Sequence, residues 1–559
     1  MKHFESSFWP IAWAVLLQVG WLLPNHYPPW STFHLDSWIA SVAIAASAAI
    51  VVLPPRRTPW HGMALLTALL MLFPGIQYGL GLVTSAGNAW VSTAYIVGFL
   101  LALLTGARWE TLREGHLLDC LFLAICIGAA LSVGLQLHQW LALDRLGIWS
   151  MGDGFGRPFA NFGQPNQLAT FLIWAILGLA WGFVRRRIGG ITVIGVAIYL
   201  LFGLALTASR TGWLAVAMLV VAAWYWRRLW PDARAPWVAL GLAAYFAVCT
   251  LSIGWLSQAL MGAIPEDLGG LTRISGESRP AVWALFLDAT TQRPWLGYGW
   301  NQVALGQLAV AVEHPPLHVF FSHSHNLFLD LILWCGIPLG AAISAWLLRW
   351  LWRRVAGVRS AENATLVLFL LVVTNHAMLE FPLHYAYFLI PVGLVIGALD
   401  VRMGIQPVMM SGRSLIVVVW IVAATLLALI IRDYARVETA YRTLRFEWAN
   451  IGTRLAEPPD VLLLTQWKDF IRMAKFEPYA GMREVDLQWM RDMVGLYPSA
   501  GFFQRVAVAL ALNRQPEEAV LWLRRACHVV SQAQCAALKV AWENQALTRV
   551  EIKAVPWPH

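Results

Sequence analysis

Three arginines, Arg157, Arg210 and Arg279, stand beside polar runs at the ends of long apolar stretches. A guanidinium is a planar, permanently charged group whose donors fit the oxygens of a phosphate or carboxylate. A charge at a membrane-spanning segment is costly, so it indicates a functional site unless a structural partner accounts for it. We therefore predict that these arginines bind an anion.

The run from Phe321 to Asp330 carries a second group of reactive side chains. It places His323, His325 and Asn326 directly before an apolar stretch. Neutral imidazole, the main form of histidine near pH 7, accepts a proton readily. We therefore predict a general base here, at the edge of a membrane.

A metal site is the alternative interpretation of these histidines, because His314 and His318 lie a few residues earlier. Glu313 is the carboxylate beside them, and Pro315-Pro316 interrupts any helical ligand spacing. Zinc sites combine His, Cys and carboxylate ligands at regular spacings, which this run does not offer. The sequence therefore favours a site that works without a metal or cofactor.

The stretch from Gly156 to Thr170 is densely polar and leads directly into an apolar segment. Asn166 is the predicted N-cap of the following helix. Helix N-termini present free amides and a positive dipole, and both favour anions. A capping loop is the alternative, but such a loop has no need of arginine. We predict that four side chains of this stretch contribute to the site, namely Arg157, Asn161, Gln164 and Gln167.

The remaining candidates also have structural alternatives. Arg210 lies in a very short turn between two predicted spans. The alternative to an anion-binding role is a side chain that only snorkels to the membrane interface. Arg279 begins a helical stretch of a long loop, where a solvated charge is the alternative. Glu380 and Tyr385 lie in a short hairpin and are predicted to close the site, unless Glu380 pairs structurally with one of the arginines.

Composition predicts an all-α membrane protein. The chain has 559 residues, of which 59% are hydrophobic and 13% charged, and its mean hydropathy is +0.60. Apolar runs of roughly 17–25 residues are long enough to cross a bilayer as helices. About thirteen such runs are present, near residues 8–24, 38–54, 62–83, 88–107, 116–139, 166–184, 190–207, 211–226, 236–256, 325–348, 362–380, 384–400 and 414–431.

Arginines in short loops set the predicted orientation, because cytoplasmic loops carry an excess of positive charge. The opposite loops at 25–37 and 84–87 contain neither Lys nor Arg. An odd number of spans then places the loop at 257–324 and everything after residue 431 outside the cytoplasm. The loops assigned to the cytoplasm contain Arg56, Arg57, Arg108, Arg113, Arg185–Arg187, Arg227, Arg228, Arg234, Arg349, Arg353, Arg354, Arg359, Arg402 and Arg413.

This orientation predicts a transmembrane domain at 1–431 and an outer helical domain at 432–559. If the cell is Gram-negative, the membrane is the inner membrane and the outer domain is periplasmic. The net charge of +9 follows from the loop arginines, so no nucleic-acid partner is predicted. Residues 503–529 predict a helix-turn-helix that faintly resembles half of a tetratricopeptide repeat. It is interpreted as an ordinary helical cap or as a docking surface for a protein acceptor. Cys527 and Cys535 could pair in an oxidising compartment.

The Phe321–Asp330 run and its surroundings resemble the O-antigen ligase superfamily of membrane glycosyltransferases. The ligase motif of that family is a His followed by Asn, Ser or Gln, then nine residues and a Gly. His325-Asn326 with Gly336 matches this pattern. The family also has Gly, Thr or Tyr three positions after that glycine, where this chain has Leu339 and a glycine one position later.

The resemblance covers roughly residues 150–400, and Arg210 and Arg279 are among the residues that carry it. Three activities occur in the superfamily: lipopolysaccharide ligase, polysaccharide polymerase and protein O-oligosaccharyltransferase. The stretch Arg157–Thr170 and the long tail after residue 431 resemble the PglL-type branch, whose members glycosylate pilins. The resemblance therefore implies a protein O-oligosaccharyltransferase, with transfer to lipid A core or polymerisation as the alternatives.

The resemblance also implies the substrates and the residue roles. The donor would be an undecaprenyl-pyrophosphate-linked oligosaccharide on the periplasmic side, and the acceptor a pilin-like protein. Arg210 and Arg279, supported by Arg157, would stabilise the pyrophosphate leaving group. His325 would deprotonate the Ser or Thr hydroxyl that attacks the anomeric carbon in a single inverting displacement. Contacts to glycan or acceptor are implied for Asn161, Gln164, Gln167, His323, Asn326, Glu380 and Tyr385.

A polysaccharide-lipid transporter is the rival hypothesis from another functional class. A transporter predicts ionisable residues at mid-span, broken helices and internal repeats. This sequence shows no repeat, and its polar groups cluster at one predicted membrane face. The pattern therefore favours an enzyme.

Overall fold

The computed structural model describes residues 8–52, 57–143, 145–152, 156–261 and 279–558. Parts of the sequence predictions lie outside the described residues. They include residues 53–54 of the predicted span 38–54, Arg56 of the cytoplasmic loops and residues 262–278 of the outer loop.

Helices make up most of the described chain, as the composition predicts. The first ten are α1 (Phe8–Leu22), α2 (Phe33–Val52), α3 (Gly62–Leu70), α4 (Phe73–Gly79), α5 (Ala86–Leu112), α6 (His116–Trp140), α7 (Pro165–Val184), α8 (Gly190–Leu206), α9 (Arg210–Tyr225) and α10 (Ala235–Met261). The next seven are α11 (Arg279–Gln292), α12 (Val303–Val310), α13 (Leu327–Cys335), α14 (Ile337–Ala356), α15 (Ala361–Ala377), α16 (Ala386–Arg402) and α17 (Arg413–Trp448). The tail adds α18 (Thr465–Lys475), α19 (Glu484–Leu496), α20 (Ala500–Leu512), α21 (Pro516–Val529), α22 (Gln532–Ala546) and α23 (Val550–Lys553).

Six helical segments of the described chain are long and apolar enough to cross a membrane. Other predicted spans coincide with shorter apolar helices, among them α8, α9 and α15. The chain is therefore a helical membrane protein. The six long segments are Gly62–Gly79, Ala86–Leu112, His116–Trp140, Pro165–Val184, Ala235–Met261 and Arg413–Trp448.

Two predicted spans each form two helices. The run at 62–83 contains α3 and α4. The apolar run at 325–348 forms two helices, α13 and α14, which are separated at Gly336. Gly336 has φ +82°, a left-handed conformation that side chains with a Cβ rarely adopt. The run was apolar enough to predict a span, but its hydropathy contained no signal for this break.

Two short strands are the other departure from an all-α fold. β1 (Thr58–Trp60) and β2 (Met409–Ser411) pair antiparallel, with Thr58 opposite Ser411. The indole of Trp60 donates a 2.8 Å hydrogen bond to the Ser411 hydroxyl. This small sheet joins two loops that are far apart in sequence.

Contacts divide the chain into two compact units. The first comprises Met1–Leu69, Tyr95–Gly276 and Leu348–Leu427, and the second Leu70–Ala94, Glu277–Leu347 and Ala428–His559. In the first unit, α7 packs against α6, α8, α9 and α15. Its buried face contains Leu, Phe and Trp side chains. The ring of Trp174 stacks on that of Phe369, with the ring centroids 3.9 Å apart. This central helix begins at the polar stretch that contains the candidate residues.

In the second unit, the tail forms the helix-turn-helix predicted at 503–529. Helices α20 and α21 are separated by residues 513–515. Asn513 fixes the break, because its side-chain oxygen accepts hydrogen bonds from the backbone of Gly481 and Met482, both at 2.8 Å. The same residue donates to the Tyr479 carbonyl at 2.9 Å.

The tail shares its hydrophobic core with part of the predicted outer loop. Leu308 and Ala311 belong to the same buried cluster as tail residues such as Phe503 and Leu523. The His318 amide also donates to the carbonyl of His528 at 3.0 Å. Within this unit the tail and the segment around α12 therefore fold together. The predicted division at residue 431 stays a prediction.

A disulfide joins Cys527 and Cys535, at the end of α21 and the start of α22. Cytosolic thiols are kept reduced, so a structural disulfide indicates an oxidising compartment. The conditional pairing expected from the sequence is thus present in the structure.

We expect Cys527→Ser to lower the free energy of unfolding of the tail by about 2 kcal/mol, because the cross-link restricts the unfolded chain. Pulse proteolysis of the purified protein in increasing urea measures this loss. Cys249→Ser is the matched control, because Cys249 is a buried free cysteine of the first unit. Equal resistance of wild-type and Cys527→Ser tails under oxidising conditions would contradict the expectation.

Candidate active site

The predicted role of Asn166 as an N-cap is wrong. Helix α7 begins at Pro165, and Gln164, two residues before Asn166, occupies the N-cap position. Pro is favoured at the first helical position because its missing N–H needs no partner there. Asn166 lies inside the first turn, where its side chain turns to other elements of the unit.

Asn166 joins two candidate segments of the first unit. Its side-chain oxygen accepts a 2.7 Å hydrogen bond from the Ser209 hydroxyl, and its amide donates to Glu380 Oε1 at 3.1 Å. Ser209 is the N-cap of α9 and accepts from the Gly212 amide. The turn before Arg210 and the hairpin of Glu380 are therefore linked through one asparagine.

Asn161 is fully buried and uses its side chain to hold the surrounding loop. Its amide donates to the carbonyls of Leu22 at 2.7 Å and Trp149 at 3.0 Å. Its side-chain oxygen accepts from the Met151 amide at 3.0 Å. These contacts describe a loop-bracing residue. Its predicted contact with glycan or acceptor stays a prediction.

Gln164 and Gln167 form a polar row that reaches a buried tyrosine. Gln167 Nε2 donates to Gln164 Oε1 at 3.1 Å, and Gln167 Oε1 accepts from the Tyr387 hydroxyl at 2.7 Å. Tyr385 stacks on Tyr387 with ring centroids 5.1 Å apart. The first unit thus brings the candidates Gln164, Gln167 and Tyr385 into one neighbourhood.

Arg157 binds the carboxyl end of a helix. Its Nε and Nη2 donate to the Thr207 carbonyl at 2.9 and 2.8 Å, and Nη2 also contacts the Ala208 carbonyl at 3.3 Å. Thr207 is the C-cap of α8. The negative end of a helix dipole attracts cations, so this arginine has a structural partner. Its predicted support of the pyrophosphate stays a prediction.

Arg210 has the opposite placement. It is the first residue of α9 and its side chain is exposed. A cation at a helix N-terminus is unfavourable by roughly 0.3–1 kcal/mol, because the dipole is positive there. An anion bound at this end interacts favourably with both the guanidinium and the dipole. The predicted anion-binding role of Arg210 stays a prediction, with a snorkelling side chain as its alternative.

His325 in the second unit has an unusual backbone. Its φ is +58°, in the left-handed region that non-glycine residues seldom occupy. Such conformations persist where the surroundings enforce them, and they cluster at functional sites. The ring of Phe321 meets the imidazole edge-on at 5.8 Å, and the imidazole is partly exposed. The predicted role of His325 as the general base stays a prediction.

The neighbours of His325 are tightly bound. Asn326 is the N-cap of α13 and accepts from the amides of Phe328 and Leu329 at 3.1 and 3.2 Å. His323 is buried. Three predicted site residues, His323, His325 and Asn326, therefore lie on one loop of the second unit.

Arg279 lies at the start of α11 in the same unit, which confirms the predicted helix. Trp283 follows one helical turn later, and its indole donates to the Ser324 carbonyl at 3.0 Å. The imidazole of His314 forms a 3.0 Å hydrogen bond with the Asp288 carboxylate. Arg279 and the His325 loop are therefore connected through a tryptophan.

The glycine of the ligase motif has a steric explanation. A Cβ on Gly336 would collide with the Trp295 carbonyl. The Pro294 carbonyl accepts from the Ile337 amide, and the Tyr298 amide donates to the Leu333 carbonyl, both at 2.7 Å. The backbone of residues 294–298 thus packs directly against the break between α13 and α14.

Four supporting residues were not predicted from the sequence, namely Ser209, Trp283, Ser324 and Asp330. Ser209 had a usable signal, because serine before an apolar helical run is a preferred N-cap. Trp283, Ser324 and Asp330 act through contacts between segments. Their residue types and spacing did not indicate those contacts.

Known protein families match this chain in three places. A profile described as protein glycosylation ligase matches residues 158–181, and one described as O-antigen ligase matches 195–344. A third, described as virulence factor membrane-bound polymerase, C-terminal, matches 364–545. A general O-oligosaccharyltransferase of Acinetobacter baylyi is 31% identical over 515 residues, which is 90% of this chain and 89% of the relative. The chain belongs to the O-oligosaccharyltransferase family.

A second relative supports the same O-oligosaccharyltransferase family. The ComP-specific O-oligosaccharyltransferase of Acinetobacter baylyi is 24% identical over 355 residues, or 63% of this chain and 62% of the relative. Family membership confirms the resemblance and supports glycosyl transfer over transport. In this chain, the protein glycosylation profile covers the Asn161–Gln167 stretch. The O-antigen ligase profile covers Arg210, Arg279 and His325.

Proposed function

We propose that this chain transfers an oligosaccharide en bloc from undecaprenyl pyrophosphate to a Ser or Thr hydroxyl of a periplasmic acceptor protein such as a pilin. The relative that covers most of the chain is named a general O-oligosaccharyltransferase, and the second is named ComP-specific. The match to a protein glycosylation ligase at 158–181 supports a protein acceptor.

The proposed setting is the bacterial inner membrane, crossed about thirteen times, with the site on the periplasmic side. The Cys527–Cys535 disulfide supports an oxidising compartment for the tail. We propose that residues 432–559 form a periplasmic helical domain that docks the acceptor protein, after a transmembrane domain at 1–431.

The proposed reaction is one displacement with inversion at the anomeric carbon. The acceptor oxygen forms a bond to that carbon while the bond from carbon to the pyrophosphate oxygen breaks. The bonding electrons stay on the pyrophosphate, and His325 takes the proton of the attacking hydroxyl. Arg210 and Arg279 stabilise the negative charge that develops on the leaving group.

His325 carries this proposal, because it occupies the ligase-motif position and holds a strained left-handed backbone. Strain of this kind costs roughly 1–3 kcal/mol, so the surrounding structure must maintain it. A backbone constrained in this way holds an imidazole in one place, which a general base requires. Arg210 adds an exposed cation at the positive end of α9.

The remaining predicted site residues are proposed to keep the roles that the resemblance implies. Glu380 and Tyr385 are proposed to contact the glycan or the acceptor, together with Gln164, Gln167, His323 and Asn326. Asn161 and Arg157 are proposed to act at the same site, where their hydrogen bonds to backbone carbonyls also hold the adjoining loops. Charge neutralisation by arginine makes a metal unnecessary, so transfer is expected to continue in excess EDTA.

Transfer to lipid A core or polymerisation of a polysaccharide is the alternative, favoured by the O-antigen ligase and polymerase profiles. We expect the purified enzyme to glycosylate a pilin from lipid-linked oligosaccharide and to leave lipid A core unmodified. Parallel reactions with each acceptor, resolved by intact-mass spectrometry, measure this choice. Modification of core alone would reject the protein acceptor.

A further inference from the structure

We propose that Trp283 and Asp330 are positioning residues that hold His325 in its left-handed conformation. This inference rests on the proposed role of His325 as the general base. Neither residue belongs to the histidine motif itself, and both act through Ser324, the residue directly before His325. All four residues lie in the second unit.

Ser324 is held at every polar group of its backbone and side chain. Asp330 Oδ1 accepts from the Ser324 amide at 2.8 Å and from its hydroxyl at 2.6 Å. The Trp283 indole donates to the Ser324 carbonyl at 3.0 Å. Ser324 and Asp330 are buried, with exposed fractions of 0% and 2%. Bonds at such sites are costly to break, because no water replaces the lost partner.

The residue after His325 is fixed as well. Asn326 caps α13 by accepting from the amides of Phe328 and Leu329. His325 therefore stands between two anchored residues, which together impose its φ of +58°. The left-handed conformation is roughly 1–2 kcal/mol less favourable for a residue with a Cβ. Without the bonds to Ser324, we expect the backbone to relax and the imidazole to move.

Trp283 also links His325 to a second candidate residue. It lies four positions after Arg279 on α11, so both side chains project from the same helix face. One hydrogen bond from Trp283 therefore ties the helix of the proposed pyrophosphate ligand to the loop of the proposed base. Movement of about 1 Å between such groups can lower a rate 100-fold while leaving substrate contacts intact.

The test compares Trp283→Phe, which removes the indole donor and keeps an aromatic ring, with Ser324→Ala, which removes the hydroxyl bonded to Asp330. Each is made in wild-type and His325→Ala enzyme. We expect kcat per folded enzyme to fall about 10- to 100-fold in wild-type background, with KM for the lipid-linked oligosaccharide nearly unchanged. In the His325→Ala background we expect no further loss of the residual transfer, because the misplaced group is already absent.

Trp295→Phe is the matched control, because Trp295 is a 76% exposed tryptophan of the same unit. An unchanged kcat in Trp283→Phe, or a loss that adds fully to that of His325→Ala, would overturn the positioning role. If the residual transfer of the His325→Ala enzyme falls below the detection limit of the assay, a rise in KM with constant kcat in Trp283→Phe overturns the positioning role. Full transfer by His325→Ala alone would reject the proposed function of His325, which separates the two failures.

Discussion

Replacing His325 with alanine will lower glycan transfer by about 100- to 10,000-fold while the protein stays folded. The reason is that the acceptor hydroxyl is a poor nucleophile until a base removes its proton as the new bond forms. The side chain is partly exposed, so its loss leaves no large buried cavity. Initial rates of acceptor glycosylation with purified lipid-linked oligosaccharide measure the loss.

His314→Gln is the matched control for this experiment. His314 is a histidine of the same unit whose imidazole is hydrogen-bonded to Asp288, and its replacement is expected to leave kcat unchanged. Fluorescence-detected gel filtration shows whether each variant is folded. A His325→Ala enzyme that transfers glycan at the wild-type rate would remove the general base from the account.

Replacing Arg210 with glutamine will lower kcat by about 100- to 1,000-fold, the effect of losing one preorganised donor to a developing anion. Arg210→Lys keeps the charge but loses the planar fork, so we expect an intermediate loss. Arg279→Gln is expected to behave like Arg210→Gln, because the same leaving group is proposed for both. Steady-state kinetics with the lipid-linked donor varied measure kcat and KM separately.

Arg186→Gln is the control for a lost positive charge, because Arg186 is an exposed arginine in a loop assigned to the cytoplasm. Its kcat is expected to equal that of the wild type. An Arg210→Gln enzyme whose KM rises with constant kcat would contradict leaving-group stabilisation, since it would show ground-state binding alone.

The sequence predicted the helical elements well, because their signal is local. Apolar runs of sufficient length mark the helices, and the polar stretches between them mark their ends. The helix-turn-helix at 503–529 was predicted for the same reason, since Asn513 and Pro516 interrupt an apolar pattern. Contacts between distant segments carry no such local signal.

Arg157 and Gly336 show what this limit meant for the site. The sequence placed Arg157 among the anion ligands, but it could not show that the guanidinium reaches the carbonyls at the end of α8. The ligase motif identified Gly336 as a family position. The sequence could not show that the Trp295 carbonyl leaves no room for a Cβ there. Asn166 was misassigned because Pro165 occupies the first helical position, which places the N-cap two residues earlier, at Gln164.

One reconstituted reaction tests the central claim most directly. Purified enzyme, undecaprenyl-pyrophosphate-linked oligosaccharide and a pilin acceptor are incubated together, and mass spectrometry follows both the lipid and the protein. The account predicts one undecaprenyl pyrophosphate released for each intact oligosaccharide found on a Ser or Thr. It also predicts that His325→Ala forms both products about 100- to 10,000-fold more slowly. Release of undecaprenyl monophosphate, or stepwise addition of single sugars to the acceptor, would contradict it.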